Sequence, residues 1–329
     1  MTTSRGDHHD SSEPSGPTPR PGGGGGGGDH PGVGEAVGRV TDAVMLFVVA
    51  LVLLLVLGAC VSSLGLSRRA GVFGPLLSVA LPELFGLLLP ALLFIWHSDQ
   101  HQQQQHQQQQ RARFRQLIWP PSRRMSALLL HLLAGGLLGL CLFYVLSAWL
   151  EPLYEHLLRL SPAEQRALER MIVPASGLRP LGLDLLTFAL VPALCEEVLF
   201  RGAILLTLLP GAEDPRTRPL DGRSLAMVLL SAVLFGLIHL SWGRMIPTTL
   251  LGMAFALTIR CGGSLWVPVA MHAVNNALVV LMVRRGLSSF TALGVSVRLG
   301  LLPVAAGLLV LACALLGRGS AVWKSVRSA

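Results

Sequence analysis

Residues 185–209 read LLTFALVPALCEEVLFRGAILLTLL, an apolar stretch of 25 residues with Glu196, Glu197 and Arg201 near its centre. A helix of about 20 residues crosses the hydrocarbon core of a bilayer, so this length predicts a membrane-spanning helix. An ionisable side chain inside such a helix costs about 3 kcal/mol or more, and each one therefore needs a reason. The stretch predicts a membrane protein with a polar site inside the bilayer.

The composition of the chain favours a membrane protein over a soluble one. Of its 329 residues, 52% are hydrophobic and only 13% are charged, which leaves few solvated side chains to cover a soluble surface. The net charge of +8 comes almost entirely from arginine, since Lys324 is the only lysine. The arginines stand singly or in pairs between apolar blocks, which argues against nucleic-acid binding. The five cysteines show no paired spacing and are interpreted as apolar fillers.

Eight apolar blocks predict an all-α fold, a polytopic membrane bundle of about eight transmembrane helices. The blocks cover residues 42–64, 72–96, 125–149, 185–209, 224–242, 246–260, 264–284 and 299–317. The first block begins far behind the N-terminal residue, so we expect it to remain in the membrane and not to act as a cleavable signal peptide.

The segments around the blocks complete the predicted domain organisation. Residues 1–36 are rich in Gly and Pro and are predicted to be a disordered tail, and 37–96 hold the first two transmembrane helices. Residues 97–124 form a polar Gln/His/Arg-rich loop, 125–317 the membrane bundle, and 318–329 a short basic C-terminal tail. The Lys and Arg bias between alternate connections favours cytoplasmic termini, and on that topology the polar site opens to the outer face.

Three of the apolar blocks carry polar residues at helical spacing. Glu197 and Arg201 lie four residues apart, so they share a helix face and neutralise each other, which favours a structural role for the pair. Glu196 points about 100° away from that face and stays available. In the next block, Phe235 lies one turn before His239 and is predicted to position it.

The seventh block adds an imidazole and an amide on one face. His272 and Asn276 lie four residues apart, stacked one turn from each other. If the polar faces of the three blocks converge, Glu196 can act as a general base on a water molecule, while His and Asn donors stabilise an oxyanion. This set suffices for amide hydrolysis without a covalent intermediate. No serine or cysteine stands beside a base in the manner of a triad nucleophile, since Cys195 precedes Glu196 but has no histidine at helical spacing.

The three segments together resemble the CPBP family of intramembrane glutamic endopeptidases, which includes CAAX prenyl endopeptidases and bacterial relatives of the bacteriocin-processing type. The family pattern is Glu-Glu-x-x-x-Arg, Phe-x-x-x-His and His-x-x-x-Asn. The chain supplies it in order as Glu196, Glu197, Arg201, Phe235, His239, His272 and Asn276. The resemblance covers about residues 180–285, a core within the predicted bundle.

The resemblance also implies a role for each main residue. It implies Glu196 as the water-activating base with His239 as its partner. It implies His272 and Asn276 as the stabilisers of the oxyanion. The other three motif residues support this set, and no cofactor or metal is implied.

Other functions fit parts of the same pattern. Glu196, His239 and His272 could serve as ligands of a zinc protease, although the chain has no His-Glu-x-x-His helix. A transporter with a polar midplane and a non-catalytic membrane scaffold are further alternatives. Chelation separates the two protease mechanisms, and cleavage of a substrate separates both from transport.

The expected partners are the lipid bilayer and a membrane-associated protein or peptide substrate. The resemblance suggests leader peptides, C-terminal sorting signals of exported proteins, or prenylated C-termini. The chain is poor in lysine and rich in arginine and alanine, as bacterial chains of high coding GC content are. We therefore expect a multi-pass protein of a bacterial cytoplasmic membrane, for which prenylated substrates are the least expected.

Two features outside the resemblance carry weaker signals. Glu83 follows Pro82 in the second block, and it could pair with His131 or line the cavity. Gly135 and Gly139 form a Gly-x-x-x-Gly spacing that predicts close helix packing.

Overall fold

The computed structural model describes residues 33–96, 112–118, 125–150, 162–173, 179–209, 221–262, 264–287 and 295–325. These residues form helices and connecting turns, with no strand among them, which confirms the all-α prediction. Most of the predicted tail and of the polar loop lies outside the described residues. Residues 33–36 already belong to the first helix, and residues 112–118 of the loop are helical.

The helices follow one another along the described parts of the chain. They are α1 (Val33–Ser63), α2 (Gly71–Trp96), α3 (112–118), α4 (Met125–Leu150), α5 (Pro162–Ile172), α6 (181–208), α7 (Gly222–Leu237), α8 (Trp242–Gly262), α9 (Trp266–Arg284), α10 (Val295–Gly300) and α11 (Leu302–Ser325). A single helical turn, Leu66–Arg69, lies between α1 and α2.

Five helical stretches of the described chain are long and apolar enough to cross a membrane, so the predicted count of eight is not confirmed. The five are Gly34–Ser63, Gly71–Trp96, Met125–Leu150, Trp266–Arg284 and Val295–Arg318. The other three predicted blocks are also helical, but each departs from a plain apolar span. Helix α6 carries buried charges, α7 has only 16 residues, and α8 contains Arg244 and Pro247.

Helix α7 ends earlier than the apolar sequence pattern predicts. The predicted block runs to Trp242, but the helix stops at Leu237 and the chain turns through residues 238–241. Leu240 adopts a φ of +50°, a left-handed conformation that breaks the helix. The turn separates α7 from α8, and the two helices pack against each other.

Several helices contain π-helical turns, which insert an extra residue and change the direction of the side chains that follow. Such turns lie at Glu83–Leu88 in α2, Leu146–Leu150 in α4, and Leu186–Leu190 and Val198–Ile204 in α6. The last of them begins directly after Glu197. Side-chain directions in α6 therefore do not follow a uniform 100° per residue.

Helix α6 lies at the centre of the protein. Every residue from Cys195 to Leu209 is buried, so the charged groups of this helix are shielded from lipid by protein. Helices α2 and α9 pack against the Val191–Glu197 part of α6. Gly202 faces α3, where a Cβ atom would lie 2.6 Å from Cε2 of Phe114.

Helix α9 is held close to α4 by two glycines, as the Gly-x-x-x-Gly spacing predicts. A Cβ atom on Gly139 would lie 2.8 Å from the carbonyl oxygen of Met271, and one on Gly135 would collide with the carbonyl oxygen of Val267. The backbones of α4 and α9 can therefore approach only because these side chains are absent. This contact sets the position of α9 next to the core.

A buried ionic cluster joins the start of α6 to the end of α9. Asp184 is fully buried and accepts hydrogen bonds from Arg179 Nε at 2.8 Å and from Arg284 Nη1. Arg284 Nη1 also donates to the carbonyl oxygen of Arg179 at 2.9 Å. The two helices that carry Glu196 and His272 are thus fixed to each other at one end.

Candidate active site

The Glu197–Arg201 pair forms the buried base of the site. Arg201 Nη1 donates to Glu197 Oε1 at 3.1 Å, and Nη2 donates to the carbonyl oxygen of Gly252 in α8 at 2.9 Å. Both side chains of the pair are fully buried. The guanidinium carbon lies between 4.4 and 5.8 Å from the ring centroids of Phe235, Phe255 and Phe200. Ion pairing and cation–π contacts together compensate for the burial of the cation.

His272 links the two glutamates. Its Nδ1 lies 3.0 Å from Glu197 Oε1, and its Nε2 lies 4.0 Å from Glu196 Oε2. The imidazole stacks on Phe255 with a centroid separation of 5.3 Å. Because a carboxylate only accepts hydrogen bonds, Nδ1 is assigned the proton, and Nε2 is directed towards Glu196.

Glu196 lies at the edge of this buried cluster. Its relative exposure is 8%, and no other described residue forms a hydrogen bond with Oε2. Oε2 is thus a buried acceptor with an imidazole nitrogen 4.0 Å away. An acceptor in these surroundings is a candidate general base.

His239 is positioned by the turn that ends α7. Its Nδ1 lies 2.9 Å from the carbonyl oxygen of Phe235, so Nδ1 carries the donated proton and Nε2 remains available. The Phe235 ring lies edge-on to both imidazoles, 5.3 Å from His239 and 5.6 Å from His272 between centroids. Phe235 therefore spaces the two histidines apart, and no hydrogen bond joins His239 directly to Glu196.

Asn276 is on the same helix as His272 but is not part of the hydrogen-bonded cluster. It is half-buried, and its Oδ1 accepts a long hydrogen bond of 3.5 Å from Asn275 Nδ2. Among the described contacts, none joins its side chain to Glu196, His239 or His272. The structure thus brings Glu196, Glu197, Arg201, Phe235, His239 and His272 together and leaves Asn276 beside them.

One contact was missed by the sequence reasoning. Spacing predicts Glu197 as the structural partner of Arg201 alone, whereas in the structure Glu197 also bonds the imidazole of His272. Helical spacing separates Glu196 from Glu197 by about 100°, and so it does not predict that both carboxylates approach one imidazole. The packing of α9 against the Val191–Glu197 part of α6, which brings the imidazole to both, is not visible in the spacing.

The donor atoms of the site do not form a metal centre in the described part of the chain. No group of three His, Cys, Asp or Glu side chains is arranged there to hold a metal ion. Glu196, His239 and His272, the ligand set of the zinc alternative, do not form such a group among the described residues.

The fold and the site together define a class of protein, a multi-pass helical membrane protein with buried groups for acid–base chemistry. Residues 179–278 match a family model whose description is type II CAAX prenyl endopeptidase Rce1-like. This segment contains all seven motif residues, and the match supports the resemblance to the CPBP family within these residues. No curated protein and no solved structure matches the chain. The chain is an integral membrane protein that contains a segment similar to this family of membrane proteases.

Proposed function

We propose that the protein is an intramembrane endopeptidase in which Glu196 activates a water molecule to attack a peptide bond, with no covalent intermediate and no metal. The observation that carries the proposal is the buried Glu196 carboxylate beside His272, whose ring is held from the opposite side by Glu197. A carboxylate with a free oxygen next to an imidazole can accept a proton and return it later in the reaction.

The proposed reaction has two steps. Glu196 takes a proton from water as the water oxygen attacks the carbonyl carbon, and the carbonyl π electrons move onto the oxygen. The tetrahedral intermediate then collapses, the C–N bond breaks, and the proton held by Glu196 passes to the leaving amine. The products are a carboxylic acid and an amine, and Glu196 returns to its starting state.

His239 is the proposed partner of the base. Its Nδ1–H bond to the Phe235 carbonyl leaves Nε2 of the neutral ring as an acceptor. An acceptor at this position can orient one O–H bond of the attacking water while Glu196 receives the other proton. Phe235 supports this role because it fixes both the carbonyl and the ring spacing.

His272 and Asn276 are the proposed stabilisers of the oxyanion. Glu197 bonds Nδ1 of His272, so Nε2 on the opposite side of the ring is the nitrogen that faces Glu196 and, when it carries a proton, is a donor to the reacting group. The Asn276 amide, one turn further along α9, is a second donor for an oxyanion bound between them.

The proposed substrate is a membrane-associated or exported protein or peptide, cleaved at a leader peptide or at a C-terminal sorting signal. The composition supports a bacterial cytoplasmic membrane as the location. The matched family model is described for CAAX prenyl endopeptidases, so a prenylated C-terminal peptide is the natural comparison substrate.

The proposal is tested with the full chain in lipid nanodiscs and a panel of these peptides, with products mapped by mass spectrometry. Glu196→Gln keeps the shape of the side chain but cannot take up the proton, so turnover should fall by about 100-fold or more. Cys195→Ala, at the adjacent position, should keep normal turnover because no thiol is used. Near wild-type cleavage by Glu196→Gln would remove Glu196 from the mechanism.

Chelation tests the metal-free part of the proposal. Wild-type cleavage should be unchanged after exhaustive treatment with a chelator. Activity that is lost on chelation and restored by zinc would favour the zinc-dependent alternative.

A further inference from the structure

An arginine is held between helices far along the chain from the candidate active site, where the end of α4 meets α10. Arg298 Nη1 donates a hydrogen bond to the carbonyl oxygen of Ala148 at 2.8 Å, and the carbonyl oxygen of Arg298 accepts one from the Tyr144 hydroxyl group. The guanidinium carbon lies 5.9 Å from the ring centroid of Trp149. These contacts fix the cation in one place beside the indole ring.

The helices around Arg298 provide no carboxylate to neutralise it. Helix α4 packs against α9 and α11, and α11 packs against α8 and α10. None of these five helices contains an Asp or Glu residue. Glu151 and Glu155 follow α4 in the sequence but lie outside the described residues. A cation among apolar helices needs an anion beside it, and the described part of the chain supplies only one carbonyl bond.

Two N–H groups of this cluster are buried without an acceptor. Arg298 Nε and Trp149 Nε1 form no hydrogen bond with any residue of the described chain. A buried donor without an acceptor is unfavourable, so two of them beside one cation indicate an acceptor from outside the chain. The two side chains as a whole are only half-buried, so a small rotation opens both donors to an anion.

The surface around the cluster is apolar and lies at the edge of the membrane. Val295, Val297 and Leu299 of α10 are well exposed, whereas Arg298 turns inward to α4. The cluster stands at the adjoining ends of two candidate spans, Met125–Leu150 and Val295–Arg318. At this depth indole and guanidinium groups meet the headgroups of lipids.

We propose that Arg298 and Trp149 bind the phosphodiester group of an anionic glycerophospholipid. One phosphate oxygen accepts hydrogen bonds from the Arg298 guanidinium, another accepts from Trp149 Nε1, and the negative charge neutralises the arginine. A lipid fits this place better than a soluble phosphate because its acyl chains continue along the exposed apolar side chains of α10. A zwitterionic headgroup brings its own cation, so an anionic headgroup binds more tightly. The site is independent of the proposed peptidase reaction.

Native mass spectrometry of the full, delipidated chain with added phosphatidylglycerol tests the site. The wild-type protein should retain one phosphatidylglycerol molecule more tightly than any other. Arg298→Met keeps an unbranched stem without charge, so the apparent Kd of this lipid should rise at least about tenfold. Trp149→Phe keeps a ring and loses the N–H group, so the Kd should rise about threefold. Arg285→Met removes an exposed arginine at the end of α9 and is the matched control, with an unchanged Kd.

Thermal unfolding gives a second readout, since a lipid that binds the folded state raises its unfolding temperature. Relative to phosphatidylcholine, phosphatidylglycerol should stabilise the wild type and Arg285→Met more than Arg298→Met. If Arg298→Met does not fold, Trp149→Phe alone decides the question by both measurements.

Four results would overturn the proposal. Equal Kd values for the wild type and for the Arg298 and Trp149 variants would exclude this site. An equal loss of affinity in Arg285→Met would show attraction to surface charge in general. Displacement of the lipid by millimolar inorganic phosphate would assign the site to a soluble anion. Lipid retention by Glu151→Gln but not by the wild type would show that Glu151 already neutralises Arg298.

Discussion

Arg201 connects four parts of the site, namely its own helix, the Glu197 carboxylate, the backbone of α8 and a set of aromatic rings. A cation in this position has no access to water, and its stability depends on these contacts together. Its removal would leave the Glu197 carboxylate buried with only His272 as a partner. We therefore expect the stability of the fold and the activity of the candidate site to change together when this residue is replaced.

Replacement of Arg201 tests this coupling. Arg201→Ala should lower the free energy of unfolding by about 3–5 kcal/mol, the usual cost of leaving one member of a buried ion pair alone. Yield, thermal unfolding temperature and peptide cleavage should decrease together. Arg201→Lys keeps the charge but loses the planar two-donor geometry. Its yield, thermal unfolding temperature and cleavage rate should therefore lie between those of the wild type and of Arg201→Ala. A stable but inactive Arg201→Ala protein would instead assign this residue a direct catalytic role.

The candidate site residues could be selected from the sequence because charge inside an apolar block is rare. Glu196, Glu197 and Arg201 stand out for that reason, and spacing correctly predicts the Glu197–Arg201 pair. The bond from His272 to Glu197 could not be predicted in this way. It depends on the rotation of two separate helices, and spacing along one helix contains no information about the other.

The packing of α9 against α4 is the element-level contact that positions His272. The volume of a single methyl group is enough to prevent this packing, because the backbone of α9 occupies the space where the side chains of Gly135 and Gly139 would lie. Any side chain at these positions must move α9, and with it the imidazole that faces Glu196.

Gly139→Ala should therefore lower the thermal unfolding temperature and the cleavage rate together, with an overpacking cost of about 1–3 kcal/mol. Gly136→Ala is the matched control, since a Cβ atom there would meet only Val274 Cγ2 at 3.8 Å, an ordinary contact distance. Thermal unfolding and cleavage of both variants are measured side by side. Equal behaviour of the two variants would show that the α4–α9 contact does not set the site.

The limits of sequence reasoning at this scale are visible in α6 and α7. Apolar residues continue past Leu237, so the hydropathy pattern predicts a longer α7. In the structure the helix ends at Leu237, and Leu240 in the turn that follows is left-handed. Helix α6 covers residues 181–208 against the predicted 185–209, but its π turns have no counterpart in the hydropathy pattern. Long apolar helices are predictable, whereas interrupted ones depend on tertiary contacts.

For the whole molecule, the orientation in the membrane decides which proteins can reach the site. The predicted topology places the turn after α7 on the outer face and the start of α4 on the cytoplasmic face. Leu240 and Met125 mark these two places, and both side chains are well exposed, at 61% and 64%.

Cysteine labelling of intact cells tests this orientation. In a variant without native cysteines, Leu240→Cys should react with an impermeant thiol reagent, and Met125→Cys should react only after the membrane is opened. Both labelled proteins are quantified by mass shift. The opposite pattern would reverse the topology and remove the support for exported substrates.

The short helix α7 has a further consequence for the bilayer around it. Its 16 residues extend about 24 Å at 1.5 Å per residue, which is less than the ~30 Å of a typical hydrocarbon core. Such hydrophobic mismatch is relieved when the lipids thin next to the short segment, at a modest cost per ångström. The thinning would occur beside the turn that holds His239, where water and an extended peptide need to enter.

Bilayers of shorter acyl chains should therefore raise the cleavage rate at equal substrate concentration. The rate is measured in nanodiscs of graded lipid length. A rate that rises with bilayer thickness would contradict local thinning. In this view lipid thickness acts on the enzyme as an effector does, without a binding pocket.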